Sequence, residues 1–444
     1  MASEHNQGGD VWAEGWRDSS YWLDGLAAPK LAQQVLPRQV DVAIVGSGYT
    51  GLNAAIETAR AGRSTLVLEA ETPGWGCSTR NGGQISTSIK PSLDKLTARH
   101  GPERGAAIRA EGKAALAYIE ERIAAEGIAC DFRRAGRFHA AHTPAAYETL
   151  ARDAELLSRR EGIEAHMIPR AEQRRELGTD VYHGGTLFPA HASVNPARYH
   201  HGLLRTASDA GAQVLGQTPV TGITRTPGGF EIRTPRGTVR ARDVAIATNG
   251  YTTGLTPWQQ RRVIPIGSYV IATEPLPRET MDRLFPTDRI ASDTCKVIYY
   301  YRASPDRTRV LFGGRVSAAE TDPRISGPRL HADMCRIFPE LAGTRISHSW
   351  MGTVAYTFDE LAHTGTHEGM HYAMGYCGSG VSMATYLGMR MGQKILGLAE
   401  GRTAFDDLPF PTRPFYTGRP WFLPAAVAWY RWNDTRQRER AMAG

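Results

Sequence analysis

The stretch VDVAIVGSGYTGL, residues 40–52, decides the fold, and VLEA at 67–70 completes the unit it begins. Val40 to Val45 is an apolar run suited to a buried strand, Gly51 to Ala61 is helix-compatible, and Ser64 to Leu68 reads as a second strand. Gly46 permits a tight turn, Gly48 lets the backbone approach a pyrophosphate, and Gly51 lets the helix pack on the strand. Ser47 and Thr50 share that turn, where the unpaired N–H groups and positive dipole end of the helix face anions. Glu69, beside Ala70 at the end of the second strand, is placed to accept hydrogen bonds from a ribose diol. This βαβ unit is a dinucleotide site, and alone it does not separate FAD from NAD.

Three further segments bear on that choice. The loop Arg80-Asn81-Gly82-Gly83-Gln84 follows the unit directly and is rich in backbone and amide donors, which suits the far end of FAD's pyrophosphate and its ribityl chain. The run from Val244 to Tyr251 ends a strand in small residues, so Thr248, Asn249 and Gly250 can pass close to a nucleotide, with Val220 beside the adenine. In GYCGSGVSM, 375–383, a strand leads through Gly378, Ser379 and Gly380 into a helix beginning with Val381 and Ser382. Its N–H groups can face the negative charge that gathers near N1 and the C2 carbonyl of a reduced flavin. Cys377 lies in this motif with no other cysteine near it in sequence and reads as a small packing residue.

Nucleotide signals near residues 46, 248 and 378 imply an α/β (mixed α+β) fold, with a Rossmann-like FAD-binding domain built from discontinuous segments and a mixed-sheet substrate domain. The expected division is an N-terminal arm at 1–36, an FAD-binding domain from 37–92, 194–258 and 346–402, a substrate domain from 93–193 and 259–345, and a tail at 403–444. Helices are predicted near 104–126 and 144–160 and from Asn195-Pro196, where Asn suits the N-cap and Pro the first helical position. Alternating segments near 263–274, 297–303 and 308–314 predict an antiparallel sheet.

Composition removes other classes. A hydrophobic content of 41% with 22% charged residues suits a globular enzyme, and the net charge of +7 comes from dispersed basic residues offset by 45 acidic ones, so nucleic acid is not an expected partner. Five scattered cysteines predict free thiols, and the histidines show no HExxH, so no metal is expected. Met1 to Asp10 is polar, no stretch is long and apolar enough to span a bilayer, and the aromatic segment Trp421 to Trp432 reads as a surface-packed tail. The expectation is a cytoplasmic protein without stable membrane insertion, its oligomeric state left open.

Together, GSGYTGL at 46–52, RNGGQ at 80–84, YYYR at 299–302, LFGGR at 311–315, Trp350-Met351-Gly352 and GYCGSGVS at 375–382 resemble the glycine oxidase/D-amino-acid oxidase superfamily of flavoenzymes, within it the gamma-glutamylputrescine oxidase family. The resemblance implies oxidation of a C–N bond to an imine on FAD, with molecular oxygen reduced to hydrogen peroxide and a small amine or amino acid as substrate. Tyr251, Tyr269, Tyr300, Arg302, Arg315 and Trp350 lie in or beside these motifs as aromatic walls and polar anchors, with Arg302 and Arg315 suited to gripping a substrate carboxylate. Gly378-Ser379-Gly380 departs from the family's common Gly-His-Gly, and Ser349 to Asp359 lacks the cysteine through which some relatives attach FAD, so noncovalent FAD is expected. A flavin dehydrogenase feeding a quinone or carrier, and a nonenzymatic flavin-binding regulator, are the alternatives.

Overall fold

The deciding stretch folds as a strand (Gln39–Val45), a helix (Tyr49–Arg60) and a second strand (Thr65–Leu68), in a computed structural model that describes residues 11–27, 29, 35–314 and 322–443. Met1 to Asp10 and Arg315 lie outside the described residues. The two strands pair in parallel, with Gln213–Leu215 beyond Thr65–Leu68 and Gly237–Ile246 on the other side of Gln39–Val45. Gly229–Thr234 and Gly222–Thr226 extend the sheet as antiparallel neighbours, and His363–His367 with Met370–Met374 complete its eight strands. Three separated segments of chain thus build one sheet.

That sheet is buried on both faces at its centre, so Val42 to Val45 and Leu66 to Leu68 run apolar without alternation. Val42, Ile44 and Val67 share a core with the helices Tyr49–Arg60 and Gly380–Ile395, whereas Ala43, Val45, Leu66 and Leu68 pack with Phe230, Ile232 and Val239. The helix Pro196–Asp209 covers the first face, and Asn195 caps it by accepting from the N–H groups of Ala197 and Arg198.

A second sheet has nine strands, in the order Trp12–Arg17, Ile346–Thr357, Val263–Thr273, Val310–Gly314, Tyr299–Ala303, Ile290–Asp293, Arg137–Ala140, Gly185–Phe188 and His166–Ile168. The antiparallel group anticipated at 263–314 lies at its centre. Residues 346–357, grouped on sequence with the nucleotide segments, hydrogen-bond along their length to Val263–Thr273. Their mixture of His, Ser, Trp and Thr hides the strand, because most of its side chains are buried on both faces and no alternation survives. Residues 423–443, read as a tail, form a helix with Pro424 in its first turn, where a missing N–H costs nothing. Leu423 and Val427 pack against Ile264 and Ile266, and the Asp434 carboxylate accepts from the N–H groups of Lys296 and Val297. Among the described residues no helix is long and apolar enough to cross a membrane.

The two helices that begin at glycine turns, Tyr49–Arg60 and Gly380–Ile395, cross in close contact. A Cβ on Gly388 would stand 2.5 Å from the Thr50 carbonyl oxygen, so only glycine lets the backbones meet there. Gly388→Val is expected to force them apart and lower the urea midpoint, with a loss of about 2 kcal/mol from overpacking. An unchanged midpoint would mean that the crossing has slack.

Candidate active site

Both glycine-turn helices open into one cavity of about 1660 Å³, which also runs beneath the nine-stranded sheet. At the nucleotide end Gly46 has a φ of +104°, and a Cβ on Gly51 would lie 1.9 Å from the Gly46 carbonyl oxygen. Neither position admits a side chain without moving strand or helix. Glu69 lines the cavity, and its Oε2 accepts from Ser47 N at 2.9 Å and Ser47 Oγ at 2.7 Å. Ser47 is fully buried and does not line the cavity, so its contribution is to aim the carboxylate. His200, kept neutral because burial lowers its pKa to about 4, donates from Nε2 to the Ser47 carbonyl at 2.8 Å. Thr50 Oγ1 meets Tyr376 OH at 2.6 Å and so ties this turn to the other glycine-rich one. Val220, Ala70, Thr248, Asn249 and Gly250 line the same end.

The RNGGQ loop is held by its carbonyl groups. Ser20 Oγ donates to Thr79 O at 2.9 Å, Trp350 Nε1 to Arg80 O at 2.8 Å, and Trp22 Nε1 to Asn81 O at 2.8 Å. Arg302 Nη1 donates to Gly83 O at 3.3 Å and Val194 O at 3.0 Å, while its Nε reaches Ala303 O. Asn81 is folded into its own turn, its Oδ1 accepting from Gly83 N at 2.8 Å. Arg80, Asn81, Gly82 and Gln84 line the cavity, and Gly83 faces Val194 O behind the loop.

At the other helix, Gly378, Ser379, Gly380 and Val381 line the cavity. Ser379 Oγ donates to Ser88 O at 2.6 Å and Ser382 Oγ to Ser86 O at 3.3 Å, fastening the motif to the segment after the loop. Cys77 and Cys377 both border the cavity, and burial pushes their thiols up, to about 12 and about 11, so neither is a ready thiolate.

The structure separates the residues proposed on sequence to meet substrate. Tyr300 and Tyr251 line the cavity, with Tyr300 OH 2.8 Å from Ser268 Oγ and Tyr251 OH accepting from Thr353 N at 3.1 Å. Gly352 lines it beside Tyr251. Tyr269, Trp350 and Arg302 are buried outside the lining, and Arg302 and Trp350 spend their donors on backbone carbonyls. Sequence reading missed Arg137 and His139 of the Arg137–Ala140 strand, together with Lys90, Tyr356 and Ser268. The signal for the first two was Arg137-Phe138-His139-Ala140, two polar side chains alternating with buried apolar ones, which puts both on one face of a strand. Lys90 lies 5.4 Å over the Tyr356 ring.

These residues fit FAD. The Glu69 carboxylate lines the cavity just past the strand Thr65–Leu68, two helix N-termini open on the same cavity, and the space continues to Tyr300 and Tyr356.

Comparison with known proteins agrees. The model of the FAD dependent oxidoreductase family matches residues 41–394. Gamma-glutamylputrescine oxidoreductase of Escherichia coli (strain K12) is 31% identical over 403 residues, covering 89% of this chain and 92% of that protein. A probable oxidoreductase, OrdL, of Rhizobium meliloti (strain 1021) is 30% identical over 418 residues, 93% of this chain and 97% of the relative. Among solved structures, glycine oxidase from Geobacillus kaustophilus superposes with a TM-score of 0.70 at 20% identity, over 85% of this chain and 99% of its own. L-proline dehydrogenase from P. horikoshii gives 0.68 at 18% identity, over 88% and 99%.

Glu69→Ala should weaken FAD binding roughly ten- to hundredfold, because a buried ribose hydroxyl loses an ionised acceptor. Titration of the apoprotein with FAD measures this, and an unchanged Kd would misplace Glu69. Arg302→Leu removes donors from three carbonyls, those of Gly83, Val194 and Ala303, of which Gly83 O keeps Val194 N at 2.9 Å; at about 1–3 kcal/mol for a buried carbonyl left unpaired, it should lower the unfolding midpoint and flavin retention. A raised KM at full stability would instead return Arg302 to substrate binding.

Proposed function

Because the chain belongs to the FAD dependent oxidoreductase family, we propose that it oxidises the C–N bond of an amine or amino acid to an imine by loss of a hydride from carbon, with oxygen finally reduced to hydrogen peroxide. FAD supplies the two-electron acceptor. The relative named for gamma-glutamylputrescine and the neighbours named for glycine and L-proline support a substrate with an amino or imino nitrogen.

The observation that carries the reading is that the groups facing the cavity with Tyr300 and Tyr356 are weak or engaged as bases, Lys90 lying over the Tyr356 ring. His139 is held well below its ordinary value by burial and by the Arg137 charge, and burial pushes the Tyr300 hydroxyl up. Asp293 borders the cavity too, but its Oδ1 is taken by the N–H groups of Cys295 and Tyr299. Such a chamber takes the amine neutral, and the nitrogen lone pair then assists departure of the hydride. Water hydrolyses the imine afterwards.

One feature favours a second reading, electron delivery to a quinone or carrier protein. Phe422 and Tyr430 border the cavity, and around them Phe415, Trp421, Trp429 and Trp432 are exposed, a rim on which an apolar acceptor could dock. Peroxide formed in step with oxygen consumption supports the oxidase, whereas dye reduction without oxygen uptake supports the dehydrogenase.

In anaerobic stopped-flow experiments at subsaturating substrate, the rate of flavin bleaching should rise with pH along the ionisation of the substrate amine, near 8 for an α-amino group and about 10 for an alkylamine. Two substrates of different amine pKa test this. An ionisation that stays fixed between them would assign deprotonation to an enzyme group. Acid precipitation should leave FAD in the supernatant; flavin retained on the polypeptide would point to a cysteine of the cavity lining, Cys77, Cys295 or Cys377.

A further inference from the structure

Four arginines line the cavity, and three are satisfied within the protein. Arg109 pairs with Glu161 at 2.8 Å, Arg160 pairs with Asp94 at 2.7 Å, and Arg80 lies over the Trp75 ring while reaching Met351 O. Arg137 differs. Its Nε donates to Ser292 Oγ at 2.9 Å, its Nη2 donates to the same oxygen, and among the described residues no carboxylate stands within ion-pair distance and Nη1 has no hydrogen-bond partner. The nearest influential acid, Asp293, gives its oxygens to Cys295 N, Tyr299 N and Tyr182 OH. Burial lowers the Arg137 pKa to about 10, which leaves the guanidinium charged. A desolvated charge with only a serine for company is costly unless an anion meets it.

Ser292 also organises a second donor. Two guanidinium N–H groups occupy the lone pairs of its Oγ, so its own proton goes to His139 Nδ1, 2.8 Å away. Neutral His139 then carries its proton on Nε2, on the same strand face as Arg137. The free edge of the guanidinium and this imidazole N–H form a donor set with one positive charge.

We infer that Arg137 and His139 form a subsite for a carboxylate carried by the substrate. The planar guanidinium fork beside a neutral imidazole matches a carboxylate, and the Lys90 cation, which also acts on His139, adds to the pull on an anion. The inference rests on the amine-oxidising reading and narrows it to amines that also bear a carboxylate. It moves the anchoring role from Arg302, which is sealed behind the RNGGQ loop, to a strand two places along the sheet from Tyr300.

The test uses the FAD-loaded protein with butyrate and butyramide as nonoxidisable probes, followed by calorimetry and by perturbation of the flavin spectrum. Wild-type protein should bind butyrate and not butyramide. Arg137→Gln should weaken butyrate binding roughly ten- to hundredfold, and Arg137→Lys should restore part of it. Because the substitution removes a half-buried cation with no carboxylate partner among the described residues, Arg137→Gln should keep its FAD content and its unfolding midpoint. Unchanged butyrate affinity in Arg137→Gln overturns the inference, as does a loss of FAD or stability with butyrate binding intact, which would make Arg137 a support of the cofactor or the sheet. Failure of the two readings is distinguishable: Arg137-dependent butyrate binding with no amine able to bleach the flavin sinks the reaction and leaves the subsite, whereas bleaching without such binding does the reverse.

Discussion

The structure depends on one close approach, that of Gly51 to the Gly46 carbonyl, where a Cβ would lie 1.9 Å from the oxygen. It lets the helix Tyr49–Arg60 start directly over the end of Gln39–Val45 with its free N–H groups facing the cavity. Everything at the nucleotide end is referred to that turn. Ser47 aims Glu69 from within it, His200 grips its carbonyl, and Thr50 couples it through Tyr376 to the second glycine-rich turn. The tight crossing at Gly388 then fixes the second helix on the first, so both positive helix ends are carried by one rigid pair.

A second constraint joins the two sheets. The carbonyls of Thr79, Arg80, Asn81 and Gly83 are each captured by a side chain from elsewhere: Ser20 and Trp22 of the N-terminal arm, Trp350 of the long strand, and Arg302 of the Tyr299–Ala303 strand. The loop between nucleotide end and chamber is thereby pinned from three directions. Residues that look like substrate ligands because they are large and polar instead set the position of the backbone that lines the cavity. An indole N–H or guanidinium buried against a carbonyl holds geometry with little freedom to rearrange.

The chamber's electrostatics follow from burial more than from the net charge of +7. Several surface arginines have carboxylate partners at ion-pair distance, such as Arg174 with Asp180 and Arg283 with Glu340, and exposed pairs of this kind add little stability. Inside, desolvation dominates: it lowers His139 and His200, raises the Tyr300 hydroxyl and the thiols of Cys77, Cys295 and Cys377, and leaves Arg137 as a charge awaiting a partner. The result is a chamber poor in bases and nucleophiles, suited to orienting a substrate and excluding water.

The sequence by itself determined the strand–turn–helix–strand unit that opens on the cavity. Gly46, Gly48, Gly51 and Glu69 are legible because the turn, the helix start and the acid are neighbours along the chain and each demands a particular residue type. The mixed α/β class followed from the same local patterns. Tertiary structure decided the chamber. Arg302 and Trp350 belong to motifs, yet whether such side chains meet a ligand or a carbonyl depends on which loop lies against them, and that loop comes from residues more than two hundred positions away. Arg137 and His139 gave only a weak alternating signal, and their meaning comes from Ser292 on the adjacent strand and from the absence, among the described residues, of any acid across from Arg137. Such long-range pairings carry no local signature, because a side chain's partner is set by sheet order and strand register rather than by its neighbours in sequence.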